Sequence, residues 1–176
     1  MSGEPGHTAA AVGRGEKNLG AAGAARGGAG AGGAGLRPVR RVGCDLLRSE
    51  RLSALAARDD CAEDPFVRSC FSPEERRELA GLAGPAARGH FLATGFALKE
   101  AAYKCLRLDD DGVAALEARL GRRVTLADLR VVRTRDWPEL LVAPDLAGAL
   151  GVSACDVSLS HDEGLVVAVA EMELLA

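Results

Sequence analysis

Short apolar runs, separated by polar or turn-forming residues, mark the predicted strands of this chain. Residues 39–47 are predicted to form the first strand, interrupted at Gly43. Helices that precede a group of strands indicate an α+β fold, in which helices pack on a mostly antiparallel sheet. Four more strands are predicted near the C terminus, at residues 129–132, 140–142, 157–159 and 165–169.

Between the first strand and the later ones, apolar residues recur at helical spacing. Leucines in residues 46–58 favour a first helix. A second helix begins at Ser72, which can form a capping box with Glu75, and it ends near a Gly-Pro pair. Thr94 is the predicted N-cap of a third helix that runs to residue 106, and a fourth covers residues 113–120.

The first 36 residues differ in composition from the rest of the chain. Twelve of the 22 glycines and ten alanines fall before residue 36, where Val12 and Leu19 are the bulky apolar residues. Ordering each residue costs about 1–2 kcal/mol, and this segment has little apolar surface to bury in return. We therefore predict a disordered Gly/Ala-rich tail at residues 1–36 and one domain at residues 37–176.

Charge and cysteine content narrow the classes of function. The net charge is −3 at pH 7, which disfavours a general nucleic-acid-binding protein. Charges or turn residues interrupt every apolar run before it reaches membrane-spanning length, so no membrane partner is expected. The five cysteines lack Cys-x-x-Cys spacing, which disfavours a zinc site or a disulfide framework. Without an export signal, a reducing cytoplasm is the simplest expected location.

Three short segments carry candidate chemistry, and each has an ordinary structural explanation as well. Asp45 ends an apolar strand, where a carboxylate needs a partner, but it could also cap the next helix. Glu100 and Lys104 share a helix face and could line a cleft or form a surface ion pair. His161 precedes the last strand, beside a ligand or in a polar hairpin turn. Singly, none of the three segments identifies a site.

In this order, the three segments resemble the 4'-phosphopantetheinyl transferase superfamily, and most closely its small holo-acyl-carrier-protein synthase type. The similarity rests on Gly-Cys-Asp at residues 43–45, a helix motif ending in Lys-Glu-Ala at residues 91–101, and Ser-Leu-Ser-His at residues 158–161. It covers residues 39–171. The resemblance implies the phosphopantetheinyl transferase fold, present as a single half.

The resemblance also implies the reaction and its site. 4'-Phosphopantetheine would pass from coenzyme A to a serine of an acyl carrier protein, with release of 3',5'-ADP. Asp45 and Glu100 would bind Mg²⁺, which typically takes one or two carboxylates together with substrate phosphates. Catalytic roles are implied for Glu100, Lys104 and His161, and a metal-bound water, Glu100 or His161 could accept the serine proton. Coenzyme contacts are implied for Lys99, Lys104, Ser160 and His161.

The same resemblance implies two kinds of partner, an acyl carrier protein and further copies of this chain. Acyl carrier proteins are acidic, so Arg48 and Arg51, three apart on one predicted helix face, are candidate docking residues, although a solvated face explains them equally well. The resemblance further implies a homotrimer whose active sites lie between neighbouring subunits. Two alternative functions are a non-catalytic module that binds coenzyme A or a carrier, and an Mg²⁺-dependent phosphohydrolase.

Three positions depart from the pattern of the family. Arg48 stands where an acid is common, Gly95 stands where an arginine is common, and three acids at residues 109–111 replace a glycine-rich turn. We expect these acids to form an exposed turn, because acids that faced a phosphate would repel it.

Overall fold

The computed structural model describes residues 37–135 and 137–175, so the predicted tail at residues 1–36 lies outside the described residues. Within them the chain forms helices and antiparallel strands, which confirms the α+β prediction. The strands are β1 (Pro38–Arg48), β2 (Leu129–Arg133), β3 (Pro138–Val142), β4 (Val152–Asp162) and β5 (Leu165–Leu175). The helices are α1 (Ser53–Ala56), α2 (Pro65–Cys70), α3 (Pro73–Ala80), α4 (Gly84–Leu106), α5 (Asp110–Leu120) and α6 (Pro144–Leu150).

The larger sheet has the order β1-β5-β4, with β5 in the centre and all pairs antiparallel. Residues of β5 alternate strictly between the two faces of the sheet. The face that packs on α4 is buried and includes Ala168, Ala170 and Met172, which have no exposed surface. The opposite face carries Val167 and Val169, which are partly exposed. The remaining two strands, β2 and β3, form a separate antiparallel hairpin.

Small residues let β1 and α4 approach each other closely. A Cβ atom added at Gly43 would lie 2.1 Å from the carbonyl oxygen of Ala101. Gly43 pairs with Ala170 of β5 without a break in register. The expected interruption of the strand at Gly43 is therefore wrong, because the glycine provides space for α4 rather than a bend.

The capping box at the start of α3 is confirmed. The Ser72 side chain accepts from the backbone N–H of Glu75, and the Glu75 carboxylate accepts from the backbone N–H of Ser72. Thr94 is not an N-cap, since α4 begins ten residues earlier and the Thr94 hydroxyl donates to the carbonyl oxygen of His90. The Gly-Pro pair predicted to end a helix instead starts α4, with Pro85 in its first turn.

Two further helix predictions are corrected. Instead of a helix over residues 46–58, β1 continues to Arg48 and is followed by a 3₁₀ turn (Ser49–Leu52) and the four-residue α1. The predicted N-cap role of Asp45 is therefore wrong. The acids at residues 109–111 start α5: Asp109 caps it by accepting from the backbone N–H of Gly112. Carboxylates there stabilise the positive end of the helix dipole.

Candidate active site

Asp45 and Lys104 meet where β1 crosses α4. Alternate residues of β1 face the helix, so Asp45 lies on the same side as Gly43 and the buried Leu47. The Lys104 Nζ donates to Oδ1 of Asp45 at 2.8 Å and to the carbonyl oxygen of Cys44 at 3.0 Å. The Asp45 side chain is 16% exposed and that of Lys104 is 49% exposed. The pair therefore lies at the rim of the core, open to solvent on one side.

Glu100 precedes Lys104 by one helical turn and completes this cluster. Its side chain is half-buried, and within the described part of the chain no group donates a hydrogen bond to it. Burial raises the pKa of Glu100, the negative charge of Asp45 raises it further, and Lys104 opposes both effects. The hydrogen bond from Lys104 to Asp45 raises the pKa of Lys104. Lys104 thus pairs directly with Asp45 and acts on Glu100 only through its charge.

The donor set of this cluster fits Mg²⁺. Both carboxylates offer the hard oxygen ligands that Mg²⁺ prefers, and Glu100 has lone pairs that no described residue uses. Residues 37–135 and 137–175 contain no group of three or more His, Cys, Asp or Glu side chains that could hold a metal. Mg²⁺ commonly binds through one or two carboxylates and completes its shell with water and substrate phosphates, so two are sufficient.

His161 does not join this cluster within one chain. Its ring contacts that of His90 in an edge-to-face arrangement, with 5.0 Å between centroids. The two imidazoles line a cavity of about 470 Å³ that also includes the β4–β5 turn at Gly164. His90 lies ten residues before Glu100 on α4, which corresponds to about 15 Å along the helix. The predicted site residues therefore fall into two separate places on one subunit.

Ser160 lies on the sheet face opposite to His161. Ser160 pairs with Val167 and His161 pairs with Val166, and neighbouring residues of a strand point to opposite faces. Both side chains are exposed. A coenzyme contact from Ser160 stays a prediction, but one ligand on the His90 side of the sheet would not meet both side chains.

The position of Lys99 does not fit its predicted contact with coenzyme A. The side chain is 0% exposed, and its Nζ lies 2.6 Å from Oε2 of Glu75, which is also buried. Burial lowers the pKa of Lys99, and the neighbouring Glu75 raises it. Helix geometry predicts that the side chains of Lys99 and Glu100 point about 100° apart. They do point in different directions, but the lysine points into the core.

His90 and Arg133 are candidate site residues that the sequence motifs did not reveal. The Arg133 guanidinium stacks over the Phe91 ring at 3.6 Å and donates to the Phe91 carbonyl oxygen at 3.0 Å. A Cβ atom at Gly95 would lie 3.0 Å from Nη2 of Arg133 and 2.7 Å from the Phe71 ring, which explains the glycine. Burial lowers the pKa of His90, as do the charges of His161 and Arg133.

Arg48 and Arg51 do not share a helix face. Arg48 is the last residue of β1 and Arg51 lies in the following 3₁₀ turn. Arg51 and Arg58 line a groove of about 430 Å³ whose apolar wall includes Phe66 and Phe96. The two phenyl rings are 5.3 Å apart between centroids. We call this cavity the Phe96 groove; it adjoins the Asp45–Glu100 cluster because Phe96 lies one turn before Glu100 on α4.

Comparisons with a family model and with individual proteins point to the same protein family. A family model described as the 4'-phosphopantetheinyl transferase superfamily matches residues 41–170. A holo-[acyl-carrier-protein] synthase from Anaeromyxobacter dehalogenans is 31% identical over 135 residues, which cover 75% of this chain and 94% of that protein. None of the described helices is long and apolar enough to cross a membrane.

Solved structures give the same fold. An apo-ACPS structure from Chronobacterium has a TM-score of 0.58 at 24% identity and covers 80% of this chain and 100% of that chain. An ACPS–CoA complex from Chronobacterium ammoniagenes has a TM-score of 0.54 at 25% identity and covers 76% of this chain and 96% of that chain. The similarity extends over both the Asp45 cluster and the His161 cavity.

Proposed function

Because this chain belongs to the 4'-phosphopantetheinyl transferase superfamily, we propose that Asp45, Glu100 and Lys104 form its reacting centre. The chain is of the holo-[acyl-carrier-protein] synthase type: it transfers 4'-phosphopantetheine from coenzyme A to a serine of an acyl carrier protein and releases 3',5'-ADP. The observation that carries the site assignment is the Lys104–Asp45 ion pair beside Glu100, a carboxylate to which no described residue donates a hydrogen bond.

Asp45 and Glu100 are the proposed Mg²⁺ ligands. Bound Mg²⁺ would neutralise charge on the pyrophosphate of coenzyme A. The half-buried position of Glu100 favours this role, since an ionised carboxylate at such a depth needs a cationic partner. Lys104, exposed beside Asp45, can reach a phosphate oxygen and stabilise negative charge on the leaving 3',5'-ADP.

We propose that His161 serves the site of a neighbouring subunit. Its ring contacts that of His90, which lies about 15 Å from Glu100 along α4. His161 therefore does not reach the reacting centre of its own chain, and a histidine at that centre would have to come from a neighbour. A homotrimer with sites between subunits meets this requirement. The cavity that His161 lines together with His90 would then hold a distant phosphate of coenzyme A, to which the two imidazoles can donate hydrogen bonds.

The outer sheet face supports self-association. This face carries four exposed aliphatic side chains in a row across β1 and β5: Val42 at 58%, Leu46 at 64%, Val167 at 42% and Val169 at 39% exposure. Leu46 pairs directly with Val167, so they form a contiguous apolar patch. Contiguous apolar patches of this kind mark protein interfaces.

The Phe96 groove is the proposed docking site for the carrier. Its apolar wall adjoins the Asp45–Glu100 cluster, and Arg51 provides positive charge at its edge, where the charge of Arg58 is balanced by nearby acids. A docked acidic carrier helix would meet positive charge outside and phenyl rings inside, which is the arrangement that gives both orientation and affinity. Arg58 also pairs with Asp60 and Asp64, which hold its guanidinium in place. A docking role for Arg48 stays a prediction.

The location is proposed to be a reducing cytoplasm. All five cysteines lie within the described residues and are free. Burial raises the pKa of Cys155 to about 12, so this thiol stays protonated and unreactive at neutral pH.

One assay tests the proposal. The purified chain is incubated with coenzyme A, Mg²⁺ and several apo carrier proteins, and the intact mass of each carrier is measured. We expect one 4'-phosphopantetheine per carrier and equimolar 3',5'-ADP, both lost when EDTA removes the metal. Coenzyme binding without transfer to any carrier would support a binding module instead. Phosphate release in the absence of carrier would support a phosphohydrolase.

A further inference from the structure

A buried ion pair lies next to the candidate metal site but takes no direct part in it. Lys99 donates from Nζ to Oε2 of Glu75 at 2.6 Å, and the two side chains are 0% and 2% exposed. The same ammonium donates to the carbonyl oxygen of Leu126 at 3.3 Å and lies 4.9 Å from the centroid of the Phe71 ring. Lys99 is thus held by groups from three different segments.

Glu75 extends these contacts to two more backbone positions. Its Oε2 accepts from the backbone N–H of Ser72 at 2.8 Å, and its Oε1 accepts from the backbone N–H of Val131 at 3.1 Å. The pair therefore connects the start of α3, the strand β2, the turn at Leu126 and the middle of α4. Both carboxylate oxygens have partners, so the geometry of the pair is fixed from several directions.

Stability alone does not explain why this pair is retained in the core. Desolvating two charges offsets most of their attraction, and well-packed apolar replacements are often neutral or stabilising. The surroundings are apolar, since Leu79 of α3, Leu98 of α4 and Phe71, which lies between α2 and α3, are fully buried. What the ion pair adds over apolar packing is direction, because hydrogen bonds fix both distance and angle.

The direction matters because Glu100 follows Lys99 on α4. Consecutive helical residues point about 100° apart, so a lysine held towards α3 and β2 turns the next side chain towards Asp45 on β1. At the side-chain radius of about 5–6 Å, a helix rotation of about 20° would move the Glu100 carboxylate by about 2 Å. Mg²⁺ demands near-ideal ligand geometry at about 2.0–2.1 Å, so such a shift would disturb binding.

We infer that Glu75 and Lys99 are positioning residues that set the rotation of α4 and thereby place Glu100 for the metal. This inference rests on the proposed function, since it assigns Glu100 to Mg²⁺. The close contact of Gly43 with Ala101 limits α4 on the β1 side, and the ion pair limits it on the opposite side. Together the two contacts restrict the rotation of α4 about its axis.

The test replaces the ion pair by apolar side chains in the full chain, as the double variant Glu75→Leu/Lys99→Met. Its melting temperature and its affinity for Mn²⁺, a paramagnetic substitute for Mg²⁺ detected by electron paramagnetic resonance, are compared with those of the unmodified chain. We expect a folded protein with a lower melting temperature, because the buried N–H groups of Ser72 and Val131 lose their acceptor. Its Mn²⁺ affinity should be about 10–100-fold weaker, as for other residues that orient metal ligands. Turnover with a carrier should fall by a similar factor.

Leu79→Met is the matched control, because it repacks the same buried region one turn from Glu75 without removing a hydrogen bond. It should bind Mn²⁺ as the unmodified chain does. A folded double variant with unchanged Mn²⁺ affinity overturns the positioning role. Absence of Mn²⁺ binding by the unmodified chain would instead overturn the metal assignment itself, which keeps the two failures distinct.

If the double variant does not fold, Lys99→Arg decides the question. Arginine keeps the charge, but its planar head differs in length and donor geometry, so the ion pair re-forms only with a shift of α4. We expect weaker Mn²⁺ binding in a folded protein, and unchanged binding in that variant overturns the inference.

Discussion

Glu100 is a carboxylate that the protein holds in an unfavourable place. It is half-buried, it lies near the negative Asp45, and no described residue donates a hydrogen bond to it. The ionised side chain therefore destabilises the free protein. A bound cation would relieve this cost, which is consistent with the proposed metal role of Glu100.

Replacement of Glu100 by glutamine should separate stability from activity. We expect Glu100→Gln to lower turnover by at least about 100-fold, because a ligand and its charge are lost. The melting temperature at pH 7 should be unchanged or higher, because the buried charge is gone. The two measurements are carrier modification by mass spectrometry and calorimetry; turnover near that of the unmodified chain would contradict the metal assignment.

The raised pKa of Glu100 also predicts how stability depends on pH. The folded protein holds this proton more tightly than the unfolded chain does, where the carboxyl has its ordinary pKa of 4.5. This contribution to stability is complete below pH 4.5 and is lost as pH rises through the higher folded pKa. As pH rises through that range, the melting temperature of Glu100→Gln should therefore increase relative to that of the unmodified chain. A constant difference from pH 4 to pH 7 would contradict this.

Lys104 should matter for turnover and little for stability. Its ion pair with Asp45 is half-exposed, and such pairs contribute about 0–1 kcal/mol. We expect Lys104→Met to lower turnover by about 10–100-fold, because stabilisation of charge on the leaving group is lost, while the melting temperature changes little. Lys104→Arg is the control that keeps the charge, and equal loss in both variants would indicate a geometric rather than an electrostatic role.

The sequence predicted the proximity of Asp45 and Glu100 better than the direction of their neighbours. Asp45 and Glu100 stand in motifs whose order along the chain is specific, so their proximity was predictable. Lys99 was misassigned because its partner, Glu75, is distant in sequence and already explained by a capping box. Glu75 serves both in a helix cap and as the partner in a buried ion pair. A local sequence pattern reveals only the helix cap.

At the scale of elements, the packing of β1 on α4 depends on Gly43. A methyl group there would meet backbone atoms of Ala101, which cannot move without the helix. We expect Gly43→Ala to destabilise the protein by about 1–3 kcal/mol, because the added methyl group would push β1 and α4 apart. Activity should also fall, since Asp45 lies on β1 and Lys104 lies on α4. Gly148→Ala in α6, where no atom lies within 4 Å, is the matched control and should be neutral or stabilising. Equal melting temperatures for the two variants would contradict the close-contact explanation.

Element boundaries were predictable where a local signal was unambiguous. The Ser72–Glu75 capping box marks the start of α3 in both sequence and structure. The start of α4 was missed because Pro85 can either end a helix or occupy its first turn, and sequence alone does not distinguish the two. The seven-residue α6 was missed because so short a helix presents barely two turns of apolar periodicity.

At the scale of the whole molecule, the outer sheet face predicts the oligomeric state. Leu46 is 64% exposed and lies on that face, on the edge strand β1 next to Val167 of β5. We expect Leu46→Glu to convert a trimer into monomers in light scattering, and to lower turnover because sites between subunits are lost. Leu141→Glu, at a 47% exposed leucine of the separate β2–β3 hairpin, is the control and should remain trimeric. A monomeric, fully active unmodified chain would contradict the proposed assembly.

A shared site can also be tested by mixing two inactive variants. Glu100→Gln and His161→Ala damage opposite sides of the proposed interface. If each site takes one side from each of two subunits, random co-assembly should restore about one site in four. Co-expression of both chains followed by the carrier assay measures this, and no recovery in a confirmed mixed trimer would place both residues on one subunit's site.

The central position of β5 has a consequence for how the protein is made. This strand pairs with β1, more than about 100 residues earlier, and carries the buried face on which α4 rests. Until β5 emerges from the ribosome, β1 and β4 have no strand to join them and the apolar side of α4 has no sheet to cover it. The domain must therefore wait for almost all of its own synthesis before it folds. Its nascent helices are the segments that chaperones would need to protect during that interval.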